Sequence, residues 1–148
     1  MSGVYRFEDL RVWQAARQQY DRVGTLLDRS AFQRDGALSD QMNKAALSVM
    51  LNISEGFLRR RDKETLNFLR YSFASNGELK AAYYAAESRK YVESTEAAAL
   101  IALNESIARM LRRWQATLDS PGPKDDRNRN GLRTKDQGRT KDQGRTKN

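Results

Sequence analysis

Apolar residues in the first 118 positions return at steps of three and four, the period of an α-helix rather than of a strand. Four successive segments show it. The first carries Leu10, Trp13, Ala16, Tyr20, Val23 and Leu27; the second carries Leu38, Met42, Ala45, Ala46, Val49, Ile53 and Phe57. The third runs Leu66, Leu69, Phe73, Gly77 with Asn76, then Ala81 and Tyr84; the fourth runs Leu100, Leu103, Ile107, Met110, Leu111, Trp114 and Leu118. Each stripe is wide enough to bury one face of an amphipathic helix. No segment alternates with period two, so no sheet is expected. The first proline is Pro121, so none interrupts these segments.

Breaks fall between the stripes. Asp35-Gly36 separates the first two, and Gly56 with Arg59–Asp62 separates the second from the third. Asp62 and Ser94 are candidate N-caps for the third and fourth helices, because a short oxygen-bearing side chain can accept a free N–H of the first turn. Helices of about 20–25 residues are roughly 30–37 Å long. Short connections make neighbours antiparallel. The expected fold is all-α, an antiparallel up-and-down four-helix bundle over residues 1–118.

Beyond Asp119 the character changes. Pro121, Gly122 and Pro123 end the helical pattern. A six-residue repeat follows, Arg133-Thr134-Lys135-Asp136-Gln137-Gly138, which returns over residues 139–144 and in truncated form over 145–148. It holds no core-forming side chain, so residues 119–148 are expected to be a disordered basic tail.

The chain has no cysteine and no histidine. Thiol nucleophiles, imidazole bases and zinc sites built on those ligands are therefore excluded. No apolar run approaches the ~20 residues that span a bilayer, and the N-terminal residues lack the apolar stretch of a secretory signal. A cytoplasmic protein without membrane attachment is expected. The net charge is +8. Residues 119–148 hold nine basic and five acidic residues, so half of that excess lies on the last fifth of the chain. A basic surface attracts polyanions, nucleic acid foremost.

Some of these residues form a familiar pattern. Phe7-Glu8-Asp9-Leu10-Arg11-Val12-Trp13 followed by Ala16 resembles the opening of the 23S rRNA intervening-sequence protein family. In the second segment, Gln41, Ala45-Ala46, Ser48-Val49 and Asn52-Ile53-Ser54-Glu55-Gly56 resemble its central motif. Glu64, Phe68-Leu69, Ser75 and Glu78-Leu79 resemble the motif of its third helix. The resemblance covers roughly residues 5–118. Three departures stand out. Met42-Asn43-Lys44 keeps one basic residue where the family has several, Asn76-Gly77 replaces an apolar pair, and Ala74 stands where glycine is common. The resemblance implies an antiparallel four-helix bundle assembled with its copies, a ring of five being the assembly it points to. A distant branch of the family consists of basic pentamers that bind a reverse transcriptase and nucleic acid. The resemblance brings no catalytic residues and no cofactor.

An up-and-down bundle would collect Arg6, Arg11, Arg59, Arg60, Arg61, Lys63, Arg109, Arg112 and Arg113 at one end, against Glu8, Asp9, Glu55, Asp62 and Glu64. That is nine positive groups against five negative. The opposite end collects Arg29, Arg34, Arg89 and Lys90 against Asp28, Asp35, Glu87, Glu93 and Glu96. Arginine forks suit phosphate oxygens, and Tyr5, Phe7 and Trp114 near the same end offer stacking faces for unpaired bases. Asn52, Glu55, Ser75 and Glu78 would sit between the second and third helices, as a polar layer or a subunit contact. A metal or acid–base pair there is the weaker reading, because metal-binding bundles add histidines to their glutamates. Alanines 81, 82, 85 and 86 and 97–99 with Ala102 permit close helix approach. Tyr83 and Tyr84 point about 100° apart, so one can be buried while the other faces out. The expected function is non-catalytic binding of RNA through the arginine-rich end of a homo-oligomer, without cofactor or metal. A protein-interaction scaffold that binds no nucleic acid is the alternative.

Overall fold

The computed structural model describes residues 3–119. A 3₁₀ turn over Phe7–Asp9 is followed by α1 (Arg11–Leu27), a one-turn α2 (Ser30–Gln33), α3 (Gly36–Leu58), α4 (Asp62–Ser88) and α5 (Ser94–Asp119). Among the described residues the chain is all-helical and contains no strand. The expected disorder of the tail falls outside the described residues, apart from Asp119, which closes α5.

Side-chain pairings give the direction of each long helix. Ser72 Oγ donates to the Val49 carbonyl and Thr65 Oγ1 to the Gly56 carbonyl. Residue numbers therefore fall along α3 as they rise along α4. The α1–α5 pair behaves alike, with Arg29 meeting Glu96 and Gln19 meeting Asn104. On α4 and α5, Asn76 meets Asn104 and Arg70 lies near Asp119. Neighbouring long helices thus run antiparallel. The start of α1, the α3–α4 connection and the end of α5 share one end of the molecule.

Local chemistry sets the boundaries. Asp35 caps α3, its Oδ1 accepting the Leu38 N–H at 3.1 Å. Gln14 Nε2 donates to the Glu8 carbonyl at 2.9 Å and ties the 3₁₀ turn to α1. The α4 C-terminus closes with the Tyr91 N–H on the Ala86 carbonyl and the Lys90 N–H on that of Glu87, both at 2.9 Å. Lys90 sits at φ 61° there, in the left-handed position that such a closure requires.

Several details differ from the expectations. Asp62 is the first residue of α4 rather than its cap; Arg61 holds the cap position and makes no side-chain capping bond. The Asp62 and Glu64 carboxylates favour that terminus through the helix dipole instead. α5 begins on Ser94 itself, with the Ala97 N–H donating to the Glu93 carbonyl. Gly56 lies inside α3, where an added Cβ would come 3.2 Å from Phe68 Cβ, so it serves close packing of α3 on α4 rather than a break. The α2 turn inserts Phe32, which is fully buried and edge-on to Tyr91 at 5.3 Å.

The largest correction concerns the second half of α4. Gly77, Ala81 and Tyr84 are exposed, and Asn76, Leu79, Tyr83 and Ala86 face inward. Steps of four from Phe73 overshoot a 3.6-residue turn, so that reading drifted onto the outer face. The Tyr83–Tyr84 expectation holds: Tyr83 is buried and Tyr84 is exposed.

The core has two apolar halves. One gathers Val23, Leu26, Phe32, Met42, Leu79, Tyr83 and Leu100; the other gathers Leu10, Val12, Val49, Ile53, Leu69, Ile107 and Leu111. Between them lies a buried polar layer. Gln19 Nε2 donates to Asn76 Oδ1 at 3.1 Å, and Asn104 Nδ2 donates to Gln19 Oε1 at 3.0 Å. Asn76 Nδ2 and Asn104 Nδ2 each reach the other residue's backbone carbonyl, at 3.0 and 2.9 Å. The Tyr83 hydroxyl donates to Gln19 Oε1 at 3.4 Å. Burial pushes the Tyr83 phenol far above its ordinary value, so it stays a neutral donor.

Candidate nucleic-acid interface

The antiparallel pairing brings the nine predicted basic residues into one half of the molecule, where all are exposed, but distributes them around it, with Arg109 and Arg112 set back toward the central polar layer rather than at the end itself. Arg11 and Arg113 both line a groove between the 3₁₀ turn, the start of α1 and the last turns of α5. The groove holds about 480 Å³ and is lined by Val4, Asp9, Leu10, Val12, Met110, Trp114 and Thr117 besides the two arginines. Trp114 is half-buried in its wall, and the Thr117 hydroxyl donates to the Trp114 carbonyl at 2.7 Å.

The other cations have different surroundings. Arg59 donates to Glu55 Oε1 at 2.6 Å and lies over the Phe68 ring at 4.8 Å. Arg6 lies 3.6 Å from Glu8. Arg112 stacks over Phe73 at 5.0 Å on the α4 side. Arg60 and Arg61 occupy the α3–α4 connection, and Lys63 the first turn of α4; none of these three makes an ion pair among the described residues. Pairing removes some of the nine from free service. Among the predicted stacking side chains, Tyr5 is 89% exposed, whereas Phe7 packs on Trp13 with ring centroids 5.2 Å apart.

The second predicted group is only partly brought together. The Ser75 and Ser48 hydroxyls share a hydrogen bond at 2.7 Å, and Asn52 Nδ2 reaches Ser48 Oγ at 3.0 Å. Ser48 is the link that the sequence reading left out. Glu55 turns to Arg59, while Glu78 accepts from Gln41 at 3.2 Å. With Ser48 opposite Ser75, Glu55 stands roughly ten residues along α4 from Glu78, about 15 Å at the helical rise. These carboxylates do not form the pair that acid–base or metal chemistry would use. Among the described residues no cluster of three acidic side chains could hold a metal ion.

The opposite end holds one closed ion pair, while Arg34, Arg89 and Lys90 are exposed there without an ion pair among the described residues. Arg29 grips Glu96 with two hydrogen bonds of 2.7 and 2.6 Å, and the Tyr91 hydroxyl donates to Asp35 at 3.0 Å. The hydrogen bond from Arg29 holds the Glu96 carboxyl below its ordinary value. Likewise the bond to Asp35 raises the Tyr91 phenol. Sequence reasoning missed the buried Gln19–Asn76–Asn104 layer entirely. A signal for it existed: each of the three polar residues falls in phase with the buried positions around it, Gln19 between Ala16 and Val23, and Asn104 between Leu100 and Ile107.

The model of the 23S rRNA-intervening sequence protein family matches residues 8–113. The chain belongs to this family. The match spans the last two residues of the 3₁₀ turn, all of α1 to α4 and α5 as far as Arg113, so it takes in the whole polar layer of this intervening-sequence protein. A comparison with curated proteins gives no match. No helix among the described residues is long and apolar enough to cross a membrane.

Proposed function

We propose that this intervening-sequence protein is a non-catalytic, cytoplasmic RNA-binding protein whose antiparallel up-and-down four-helix bundle presents an arginine-rich end to phosphates. The observation that carries the reading is the separation of charge along the bundle. Arg60, Arg61 and Lys63 stand exposed and without acidic partners among the described residues, in a group of nine basic against five acidic residues, whereas the opposite end carries four basic against five acidic. Clustered unpaired cations displace counterions from a phosphate backbone, which makes binding steeply salt-dependent. The family's association with ribosomal RNA supports RNA as the polyanion.

Self-assembly, a ring of five being the form implied by the resemblance, belongs to the same reading. It is supported by Leu51, Tyr71 and Tyr84, each more than half exposed on the outer surface of α3 and α4. That same apolar surface favours the second reading, a protein-interaction scaffold without nucleic acid.

The test is fluorescence anisotropy with a structured RNA across a salt titration. Affinity is expected to fall along a log–log line. Replacing Arg59, Arg60 and Arg61 by Ala should make that line shallower by about two to three. Absence of RNA binding even at low salt would leave the scaffold as the better reading.

A further inference from the structure

The groove between the 3₁₀ turn and the end of α5 has a chemistry that phosphate binding alone does not use. We propose that it takes one unpaired base of an RNA strand. In this arrangement Trp114 is the stacking face, Arg11 and Arg113 meet the flanking phosphates, and Asp9 meets the edge of the base. The inference rests on the RNA-binding reading above and names which part of an RNA the arginine-rich end selects.

Three observations carry it. The first is shape. The groove holds about 480 Å³, within the roughly 300–1,000 Å³ of sites that enclose small molecules, whereas a stacked duplex has no protruding base to insert. The second is the lining. Val4, Leu10 and Met110 join Trp114 to form an apolar wall, and a base has an apolar face that stacks on an aromatic ring whatever its sequence. The third is charge complementarity. Two guanidinium groups line the groove with one carboxylate, which matches a nucleotide with anionic phosphates on either side of a base whose edge offers N–H donors. The chain segment that follows Asp119 is a poor occupant, since it carries nine basic against four acidic residues and would meet Arg11 and Arg113.

Asp9 adds selectivity. An ionised carboxylate only accepts hydrogen bonds. Guanine offers it two adjacent N–H groups on one edge, whereas the single ring N–H of uracil is flanked by carbonyl oxygens that a carboxylate repels. A bulged guanine is therefore the preferred occupant, and a bulged uracil a poorer one.

The experiment uses the full chain and three labelled RNA hairpins that differ only in one position: fully paired, with a single uracil bulge, and with a single guanine bulge. Anisotropy at one low salt concentration should show the guanine bulge bound about tenfold more tightly than the paired hairpin, as one base stacked on an aromatic ring provides. Trp114→Leu should reduce the guanine-bulge affinity to that of the paired hairpin and leave the paired hairpin unchanged. Asp9→Asn should erase the preference for guanine over uracil. Because Trp114 also packs against the core, a second readout uses Trp13→Phe, which leaves Trp114 as the sole tryptophan. Its fluorescence should be quenched by the guanine bulge and not by the paired hairpin. Equal, salt-sensitive binding of all three hairpins with no quenching would overturn the groove assignment while leaving the phosphate-binding reading intact. No binding of any hairpin at low salt would overturn both.

Discussion

Asn104 is the residue on which the interior turns. Its side-chain nitrogen supplies the hydrogen bonds to Gln19 Oε1 and the Asn76 carbonyl, and its Oδ1 accepts from Asn76. Asn104→Ala leaves the buried Gln19 Oε1 with only the long bond from Tyr83. A buried polar group without its partner costs about 1–3 kcal/mol, so urea denaturation should show a loss of about 2 kcal/mol. The effect should be non-additive with Asn76→Ala, because both substitutions dismantle one network. Glu96 gives a residue-scale prediction in pH. Its folded-state pKa is depressed by the hydrogen bond from Arg29, so its contribution is fully present above the ordinary carboxylate value of 4.5 and is lost as pH falls through the lowered value. Glu96→Gln should lower the urea midpoint at pH 7. By pH 3 the difference between the variant and the parent chain should have narrowed. A gap equally wide at both pH values would mean that the pair acts through packing rather than charge.

At the scale of the element, α4 shows how a helix end can be made without glycine. Its closure needs a left-handed residue, and Lys90 occupies that place at φ 61°. A side chain there clashes mildly with the following carbonyl, at a cost of about 1–2 kcal/mol that glycine avoids. Lys90→Gly should therefore raise stability by about 1 kcal/mol in thermal or urea unfolding while leaving the Tyr91 and Phe32 packing in place. Tyr91 seats the closure: its ring lies edge-on to Phe32 and its hydroxyl binds Asp35, the cap of α3. One loop thus fastens the α2 turn, the start of α3 and the end of α4. The same helix explains the drift in the sequence reading. Asn76 lies in the buried phase of α4 but is polar, and stepping past it to Gly77 shifted every later position by one face.

For the whole molecule, the separation of charge is the property on which the proposed RNA binding rests. Neither the composition nor any one helix contains it; it arises because antiparallel packing places three separate basic stretches at one end. Residues 120–148 carry nine basic and four acidic residues and follow an α5 that terminates at this end. Deleting them should weaken RNA binding at low salt and make its salt dependence shallower. The urea midpoint should stay unchanged, since the two apolar clusters and the polar layer all lie within residues 3–119. A fall in that midpoint would assign these residues a part in the fold.

The sequence by itself determined the helical class, the four long segments and most of the core, because burial of one face imposes its period on residues such as Met42, Ala46, Val49 and Ile53 whatever surrounds them. The motifs around Trp13 and Asn52 likewise sufficed to mark the family. Tertiary structure alone decided the rest. A hydrogen bond between Gln19 and Asn76 spans 57 positions, and no local period announces that two polar residues will satisfy each other inside a core. Arg59 and Arg60 are neighbours of the same type, yet only the folded chain gives Arg59 to Glu55 and leaves Arg60 exposed without an ion pair among the described residues. The groove is the clearest case, since Leu10 and Trp114 meet only when the first and last helices pack side by side. Periodicity reports how much of a helix is buried; which distant side chains share a site depends on the packing of the helices against one another.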